Sequence, residues 1–372
     1  MSEALPTLQV DTGRAFRGGQ RQVALLVRGL AEAGHPVELA VPPGAPLAAA
    51  VAGRAGIVVH ELPMRGEFDP RAVRRLARLL AGRRPAVIHV HTAHAITLAH
   101  AARRLVRWSG PLVAHRHVAF AGRRNPLARL KRRWPEGWIA VSRAVASRLV
   151  DDGVPHDRVH VVPAALDPES LTVRRAPRET RAALGLDDRL PLLVFVGALT
   201  PNKNPGLLVE GLRRLATSGQ RARLLLVGDG PLRDELARRA ERAGLGDAVR
   251  LLGEVPNAAD LIAAADLALF ASRSEGSHSA LKEALALAVP VLASRIPAHR
   301  ELDLPDEMLF DPDDADELAA KLGAALADLE DRRARAQRLA EIAARFAPTA
   351  MVEGVLAVYR SVLGQTAPSP GS

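Results

Sequence analysis

Residues 267–294, LALFASRSEGSHSALKEALALAVPVLAS, contain in one stretch the features that decide the fold. A short apolar run is followed by a loop rich in Ser and Gly, then by a helical-period segment and a second apolar run. This order is typical of a βαβ unit on a parallel sheet. A loop at the carboxyl end of such a strand faces the ligand, and the free amides at the start of the next helix attract an anion such as a diphosphate.

Two carboxylates frame this predicted anion site. Glu275 lies on the loop, and Glu283 follows on the predicted helix. Carboxylates accept hydrogen bonds from vicinal hydroxyls, so one of them can hold a ribose and the other a sugar. The spacing alone is equally consistent with a helix-capping acid and a solvated acid.

The same alternation of apolar runs and helical segments occurs twice along the 372 residues, a length that suits two cores. We therefore predict an α/β protein with two Rossmann-like domains, whose parallel sheets face each other across a cleft. The strands predicted for the first domain are Leu8–Val10, Val37–Val41, Ile57–His60, Val87–Val90, Leu112–Ala114, Trp138–Val141 and Val159–Val162. Those predicted for the second are Leu192–Val196, Arg223–Val227, Val249–Leu252, Leu267–Phe270, Val289–Ala293 and Met308–Phe310.

The domain boundaries are predicted at the segments where the sequence no longer has the apolar pattern of strands. The first domain is predicted to span residues 1–168, and the second, which carries the nucleotide-sugar site, residues 169–345. A helix over residues 346–364 is expected to cross back to the first domain, and residues 365–372 are expected to form a disordered tail.

The segment from Glu275 to Glu283 resembles the two-glutamate motif of family 4 glycosyltransferases, which have the GT-B fold and transfer sugars with retention of configuration. The resemblance implies that Glu275 contacts the donor sugar, that Glu283 contacts the ribose hydroxyls, and that the backbone between them holds the diphosphate. The implied donor contacts in this loop are Gly276, Ser277, His278, Ser279 and Ala280.

Other segments extend the resemblance over nearly the whole chain. Residues 197–204, GALTPNKN, resemble the family's loop after the first strand of the second domain, which implies that Lys203 neutralises the leaving diphosphate. The further donor contacts that the resemblance implies are Gly18, Gly19, Gly197, Gly228, Gly230 and Val255.

The chain departs from the family pattern in two places. Ala198 stands where the family has Arg, and Arg295 and Arg116 are the candidates to supply that charge. Residues 164–167, AALD, stand where relatives have Asn-Gly-Val-Asp, so a turn glycine is missing from the predicted hinge. We expect these departures to affect the leaving-group site and the hinge.

Histidines end two of the predicted strands. Residues 87–91 and 113–117 resemble the two histidine-bearing strand ends of the family, and the second implies a catalytic histidine near the donor sugar, which is either His115 or His117. The four histidines of residues 89–100 are spread over one strand and the following helix. We therefore expect no metal site, and no cofactor besides the donor, which is a substrate.

The net positive charge lies entirely in the first part of the chain. The net charge is +10, and residues 1–170 hold 25 Lys and Arg against 13 Asp and Glu, a net +12. This indicates an acidic partner, unless the Arg content only reflects genome composition. Arg123–Arg133, where apolar and basic residues alternate, is predicted to contact an anionic membrane. Nucleic acid is not expected, because few aromatic residues are present for base stacking.

These features predict a metal-independent transferase that moves a hexose-type sugar from a UDP- or GDP-sugar to a cell-envelope or other glycan or lipid-linked acceptor. The alternatives are a nucleotide-sugar epimerase of the same fold and a non-catalytic basic binding protein. The chain has no cysteine, and neither a secretory signal nor a long apolar run is evident. We expect a cytoplasmic protein that associates peripherally with the inner face of the cell membrane.

Overall fold

The structure, a computed structural model, describes residues 3–118, 126–186 and 189–366 and divides into two compact units. Unit 1 comprises the residues up to Ala165 and those from Ala347 onward, and unit 2 comprises Leu166–Phe346. The sequence places these boundaries after residues 168 and 345.

Unit 1 is built on a seven-stranded parallel sheet. Its strands are β1 (Thr7–Val10), β2 (Val37–Val41), β3 (Ile57–Glu61), β4 (Val87–Val90), β5 (Leu112–Arg116), β6 (Gly137–Ala140) and β7 (Val159–Val161). Its helices up to residue 165 are α1 (Gly18–Glu32), α2 (Pro46–Val51), α3 (Pro70–Arg83), α4 (Ala93–Leu105), α5 (Pro126–Arg132) and α6 (Arg143–Asp151). The strand order is β3-β2-β1-β4-β5-β6-β7.

Unit 2 repeats this architecture with six parallel strands. Its helices are α7 (Pro177–Ala183), α8 (Pro205–Thr217), α9 (Arg233–Arg242), α10 (Ala259–Ala264), α11 (Ser279–Ala286), α12 (Pro297–Arg300), α13 (Ala315–Ala327) and α14 (Leu329–Ala340). Its strands are β8 (Leu192–Val196), β9 (Arg223–Val227), β10 (Val249–Gly253), β11 (Leu267–Phe270), β12 (Val291–Ser294) and β13 (Leu309–Phe310). The strand order is β10-β9-β8-β11-β12-β13.

Both sheets have the doubly wound order expected for Rossmann-like domains, which confirms the predicted fold class. In each, the chain builds strands outward in one direction and then returns to the other side of the first strand. The switch point lies between β1 and β4 in unit 1 and between β8 and β11 in unit 2. Ligands of open α/β sheets bind beside the carboxyl ends of the strands at such a point, because the loops diverge there.

Strand β4 shows how the sheet of unit 1 is covered on both faces. Ile88 and Val90 are fully buried in one apolar cluster, and Val87 is fully buried in a second cluster on the opposite face. A strand covered on both sides can contain a near-continuous apolar run. His89 is the polar exception, and it too is fully buried.

The last helix, α15 (Pro348–Thr366), returns to unit 1 and packs on α1 and β6. Glycines permit this close approach. A Cβ built on Gly29 would lie 2.5 Å from Cγ2 of Val352, and one built on Gly137 would lie 2.9 Å from Cγ1 of Val362. The helix buries Tyr359 completely.

Several predicted boundaries differ from those of the structure by one or two residues. The strand predicted from Val289 begins at Val291, because the positive φ of Ala288 (54°) keeps the chain in a turn, and Pro290 has no N–H for the sheet. Helix α15 continues to Thr366, so the first two residues of the predicted tail are helical. Residues 367–372 lie outside the described residues.

Candidate functional site

Two loops meet at the switch point of unit 2. Lys203 follows β8 and Glu275 follows β11, and Nζ of Lys203 lies 2.6 Å from Oε1 of Glu275. The side chains are 22% and 10% exposed, so the ion pair is largely shielded from water. Asn202 ties the loops together, because its Nδ2 donates to the Ser274 carbonyl at 2.9 Å and its carbonyl accepts from the Arg273 N–H at 2.8 Å. The structure thus brings together the two residues of unit 2 that the sequence assigns to catalysis.

A buried histidine pair lies beside this ion pair. Nδ1 of His299 is 2.8 Å from the Ser294 carbonyl, which only accepts, so Nδ1 carries the proton and Nε2 accepts. Nδ1 of His278 lies 2.8 Å from that Nε2 and therefore donates. This fixes the tautomer of His278 and leaves its buried Nε2 with a lone pair and no partner among the described residues. His299 was not anticipated from the sequence, since a lone His before a short helix gives no functional signal.

Both histidines of this pair are neutral at pH 7. Burial, together with the nearby Lys203 ammonium, holds the pKa of His278 well below the ordinary 6.5. Burial lowers the pKa of His299 to about 4, against the opposing effect of the hydrogen bond to the Ser294 carbonyl. The histidine pair therefore adds no charge beside the Lys203–Glu275 ion pair.

Lys282 is a buried amine that sequence reasoning missed. Its side chain points into unit 2 from α11, where Nζ donates to Oγ of Ser277 at 2.6 Å and lies 3.9 Å from the ring centroid of Phe346. Only 6% of Lys282 is exposed, and this burial lowers its pKa from 10.5 to about 7. In the sequence it stands between Leu281 and Glu283, and a Lys beside an acid on a helix usually faces solvent.

The rest of the predicted loop follows the expected order. Gly276 and Ser277 are half-buried on the loop, His278 is the N-cap, and Ser279 and Ala280 begin α11. No side chain caps the amides of this helix start among the described residues. Glu283 lies on α11 and is half-buried. The side chain of His278 thus leaves the amides at the start of α11 uncapped.

Glycines close the carboxyl edge of the sheet in unit 2. The Gly197 N–H donates to the Val227 carbonyl at 2.9 Å, and the Gly228 N–H donates to the Gly253 carbonyl at 2.8 Å. A Cβ on Gly228, where φ is 132°, would lie 2.0 Å from the Gly197 carbonyl oxygen, and one on Gly230 would lie 2.5 Å from a backbone oxygen. These predicted donor contacts therefore have a packing reason to be glycine, because only glycine lets the loops approach so closely.

Ala198 is exposed, and neither candidate to replace the absent Arg lies free. Arg295 donates to Glu317 at 2.8 Å in unit 2, and Arg116 pairs with Asp152 at 3.5 Å in unit 1. Val255 is half-buried against the core of unit 2.

The backbone of the predicted hinge is firmly held at the point where it leaves unit 1. The carbonyl and the N–H of Ala165 each bond to the Gln22 side-chain amide at 2.8 Å, and Ala164 is buried. Neither alanine has a positive φ. The backbone here does not require the turn glycine that relatives have.

Unit 1 contains a ladder of polar side chains on the sheet face that α15 covers. The pairing registers place His89 between Gln9 and Val113, and residues two apart share a face. His91, His115 and His117 therefore lie on the same face as His89. The sequence shows these four histidines as two pairs, and the tertiary structure joins them into one group.

Hydrogen bonds orient two members of this group, His89 and His91. The amide of Gln9 donates to Thr7 at 3.0 Å and to the Tyr359 hydroxyl at 3.1 Å, so its Oε1 accepts from Nε2 of His91 at 2.9 Å. The Tyr359 hydroxyl also lies 2.7 Å from Nδ1 of His89. His91 is therefore the Nε2–H tautomer, and its Nδ1 carries a lone pair.

The four imidazoles stack inside the unit. Ring centroids lie 4.3 Å apart for His89 and His91, 5.3 Å for His89 and His115, and 4.2 Å for His115 and His117. Burial and mutual repulsion hold the pKa of His89, His91 and His115 well below 6.5, and burial lowers that of His117 to about 4. The rings are neutral at pH 7.

The glycines predicted as donor contacts in unit 1 open helix α1. Gly18 and Gly19 are its first two residues, and a Cβ on Gly19 would lie 3.7 Å from the ring of His117. Of the two candidate catalytic histidines, His117 is thus beside the start of α1, whereas His115 is inside the stack. Asp11, which the sequence did not single out, ends β1 at the same edge, and burial raises its pKa.

The predicted basic surface Arg123–Arg133 is only partly described, because residues 123–125 lie outside the described residues. In α5, Leu127 and Leu130 are 53% and 54% exposed. Arg132 is buried and donates to the Asp152 carbonyl at 2.6 Å, and Lys131 pairs with Glu67. These two cations are therefore engaged within unit 1. No described helix is long and apolar enough to cross a membrane.

Comparison with solved structures defines the fold. HepE of Anabaena, in complex with UDP, superposes with a TM-score of 0.82 at 20% identity over 96% of this chain and 100% of its own. A glycosyltransferase from Rickettsia africae gives a TM-score of 0.83 at 16% identity. The fold is that of the GT-B glycosyltransferases, as predicted.

The sequence comparisons identify the family to which the chain belongs. Residues 16–170 match the family described as Glycosyltransferase Family 4, and residues 177–342 match Glycosyl transferases group 1. The D-inositol 3-phosphate glycosyltransferase of Frankia alni is 32% identical over 323 residues, 78% of each chain. The chain belongs to glycosyltransferase family 4. With the enzyme of the same name from Xylanimonas cellulosilytica, 31% identical over 64% of this chain, the match spans 63% of the relative's length.

Proposed function

We propose that this protein transfers a hexose-type sugar from a nucleotide diphosphate donor to an acceptor, with retention of configuration. The observation that carries the proposal is the shielded ion pair of Lys203 and Glu275 at the switch point of unit 2. Lys203 supplies a cation that can stabilise a departing diphosphate, and Glu275 supplies a carboxylate that can bind sugar hydroxyls. Both lie at the edge where α/β sheets bind ligands.

The donor diphosphate binds at the start of α11 in this proposal. The uncapped amides of residues 277–280 and the helix dipole attract the phosphates, and Lys203 exchanges its bond to Glu275 for one to a phosphate oxygen. Glu275 is then released to accept from the sugar hydroxyls, and Glu283 accepts from the ribose. UDP is the first nucleotide to test, because the Anabaena structures contain UDP and UDP-glucose.

The transfer step breaks the bond between the anomeric carbon and the diphosphate oxygen. Positive charge develops on the sugar while negative charge collects on the diphosphate, where Lys203 and the helix amides stabilise it. The acceptor hydroxyl attacks the same face, and its proton passes to the departing phosphate. The residues named supply the charge stabilisation themselves, so the proposed step is metal-independent. We assign His117, beside the start of α1, as the family's catalytic histidine.

An anionic acceptor fits the charge of the chain. Residues 1–170 carry a net +12, and relatives are named D-inositol 3-phosphate glycosyltransferases, which points to an acceptor with a phosphate. We propose a glycan or lipid-linked acceptor of the cell envelope, reached in the cytoplasm at the inner membrane face. Leu127 and Leu130, exposed on α5, would contact the bilayer surface. Salt-sensitive sedimentation with anionic but not neutral vesicles, weakened in a Leu127→Ser, Leu130→Ser variant, tests this contact.

Calorimetric titration with UDP and GDP tests the donor site. Lys203→Met removes a charge-assisted bond worth about 1.5–3 kcal/mol, so UDP affinity should fall by roughly 10- to 150-fold. Lys321→Met is the matched control, since it removes a half-exposed ammonium of the same unit and should bind UDP like the wild type. Equal UDP affinity in Lys203→Met and wild type would reject the site.

Turnover separates the proposed transferase from its alternatives. Release of UDP should require a cell-envelope extract as the source of acceptor, and NMR of the product should show the anomeric configuration of the donor. Glu275→Gln should slow turnover more than it weakens UDP binding. Conversion of the donor sugar without any acceptor would instead identify an epimerase, and no turnover with any donor would favour a binding protein.

A further inference from the structure

The imidazoles inside unit 1 have more buried nitrogen atoms than hydrogen-bond partners. Nε2 of His89, Nδ1 of His91 and both ring nitrogens of His115 are buried without a partner in the described part of the chain. The three side chains are at most 7% exposed. Each unpaired buried polar group costs about 1–3 kcal/mol, so several together call for a ligand.

One ring nitrogen of each histidine lies close to one ring nitrogen of the other two. His89, His91 and His115 each offer a ring nitrogen, and the three atoms lie within 4.8 Å of one another. Nitrogens bound to one tetrahedral metal ion at about 2.0–2.1 Å are roughly 3.3 Å apart. Ring rotations that bring the atoms closer by about 1.5 Å or less would complete such a set.

Oxygen atoms of Gln9 and Tyr359 contact the histidine ring nitrogens that would not bind the metal ion. Metal-bound histidines usually donate their other N–H to an oxygen, which fixes the ring and its tautomer. His91 already donates from Nε2 to Gln9, so its Nδ1 lone pair is presented. The Tyr359 hydroxyl, 2.7 Å from Nδ1 of His89, can accept the corresponding N–H and leave Nε2 to bind.

We propose that His89, His91 and His115 bind one divalent transition-metal ion, with Gln9 and Tyr359 orienting the ligands. Three imidazoles suit Zn²⁺, Co²⁺, Ni²⁺ or Cu²⁺ rather than Mg²⁺ or Ca²⁺, which prefer oxygen. The ion would join β4 to β5 and, through Tyr359, to α15, so its role is to hold the last helix on the sheet. This inference is independent of the proposed transfer, no step of which passes through the ion.

The test uses the full chain without an affinity tag, stripped with a chelator. Equilibrium dialysis should give one Zn²⁺ per chain, and Co²⁺ should give visible d–d bands that Zn²⁺ abolishes. His91→Ala and His115→Ala should lose this binding. His94→Ala, which removes an exposed histidine at the start of α4, is the matched control and should keep it.

A milder variant keeps the test decisive if an alanine variant fails to fold. Tyr359→Phe retains the buried ring and removes only the hydroxyl behind His89, so Co²⁺ affinity should fall about 10- to 100-fold. Folding is checked by tryptophan emission, because all three tryptophans lie in unit 1. The proposal is overturned if the wild type binds no Zn²⁺ or Co²⁺, or if the His115→Ala and Tyr359→Phe variants bind like the wild type.

Discussion

Replacement of Lys282 by Met should change how the stability of unit 2 depends on pH. Burial lowers the pKa of this ammonium from 10.5 to about 7. Between these values the unfolded chain holds a proton that the folded chain lacks, so the free energy of unfolding rises with pH. The slope is about 1.4 kcal/mol per pH unit, which amounts to about 2 kcal/mol between pH 7 and pH 9.

The Lys282→Met variant keeps the length and the apolar stem of the side chain and removes the titrating group. Urea unfolding at pH 7, 8 and 9 should therefore show a free energy of unfolding that rises by about 2 kcal/mol in the wild type and not in the variant. Unit 2 has no tryptophan or tyrosine, so its unfolding is followed by far-UV circular dichroism, while tryptophan emission reports unit 1.

Lys321→Met serves as the control for this measurement and should keep the wild-type rise, because it leaves the buried ammonium in place. At pH 7 the Lys282→Met variant should be more stable than the wild type, because it buries no ionisable amine. Parallel pH profiles for Lys282→Met and the wild type would refute the reasoning, since they would mean that Lys282 is fully charged in the folded chain.

Two further substitutions test the packing of the sheet edges and of the last helix. Gly228→Ala places a methyl group 2.0 Å from the Gly197 carbonyl at a φ of 132°, and we expect a loss of about 2–4 kcal/mol, measured by circular dichroism in urea. Tyr359→Phe leaves the buried Gln9 amide and His89 ring each short of a partner, and should cost about 1–3 kcal/mol in the tryptophan-monitored transition. A variant as stable as wild type in either case would show that the neighbours relax without penalty.

The sequence by itself determined the fold class and most of the strands. Apolar runs such as Leu192–Val196 and Leu267–Phe270 are buried on both faces of the sheet. Such strands are continuous apolar stretches that can be recognised in the sequence. The resemblance of residues 275–283 to the two-glutamate motif rests on local features, namely a strand, a glycine-containing loop and a helix start. Ser142 accepts from the Val145 N–H, another local feature of a helix start.

Only the tertiary structure decided which distant side chains meet. Lys203 and Glu275 are 72 residues apart, and Tyr359 reaches His89 across 270 residues. Such pairings depend on strand order and on where α15 packs, and neither leaves a periodic trace in the sequence. The same holds for Lys282, whose pKa is set by the atoms that surround it after folding. Local sequence specifies the backbone conformation, whereas burial and the lowering of pKa values arise only when the sheets and helices have assembled.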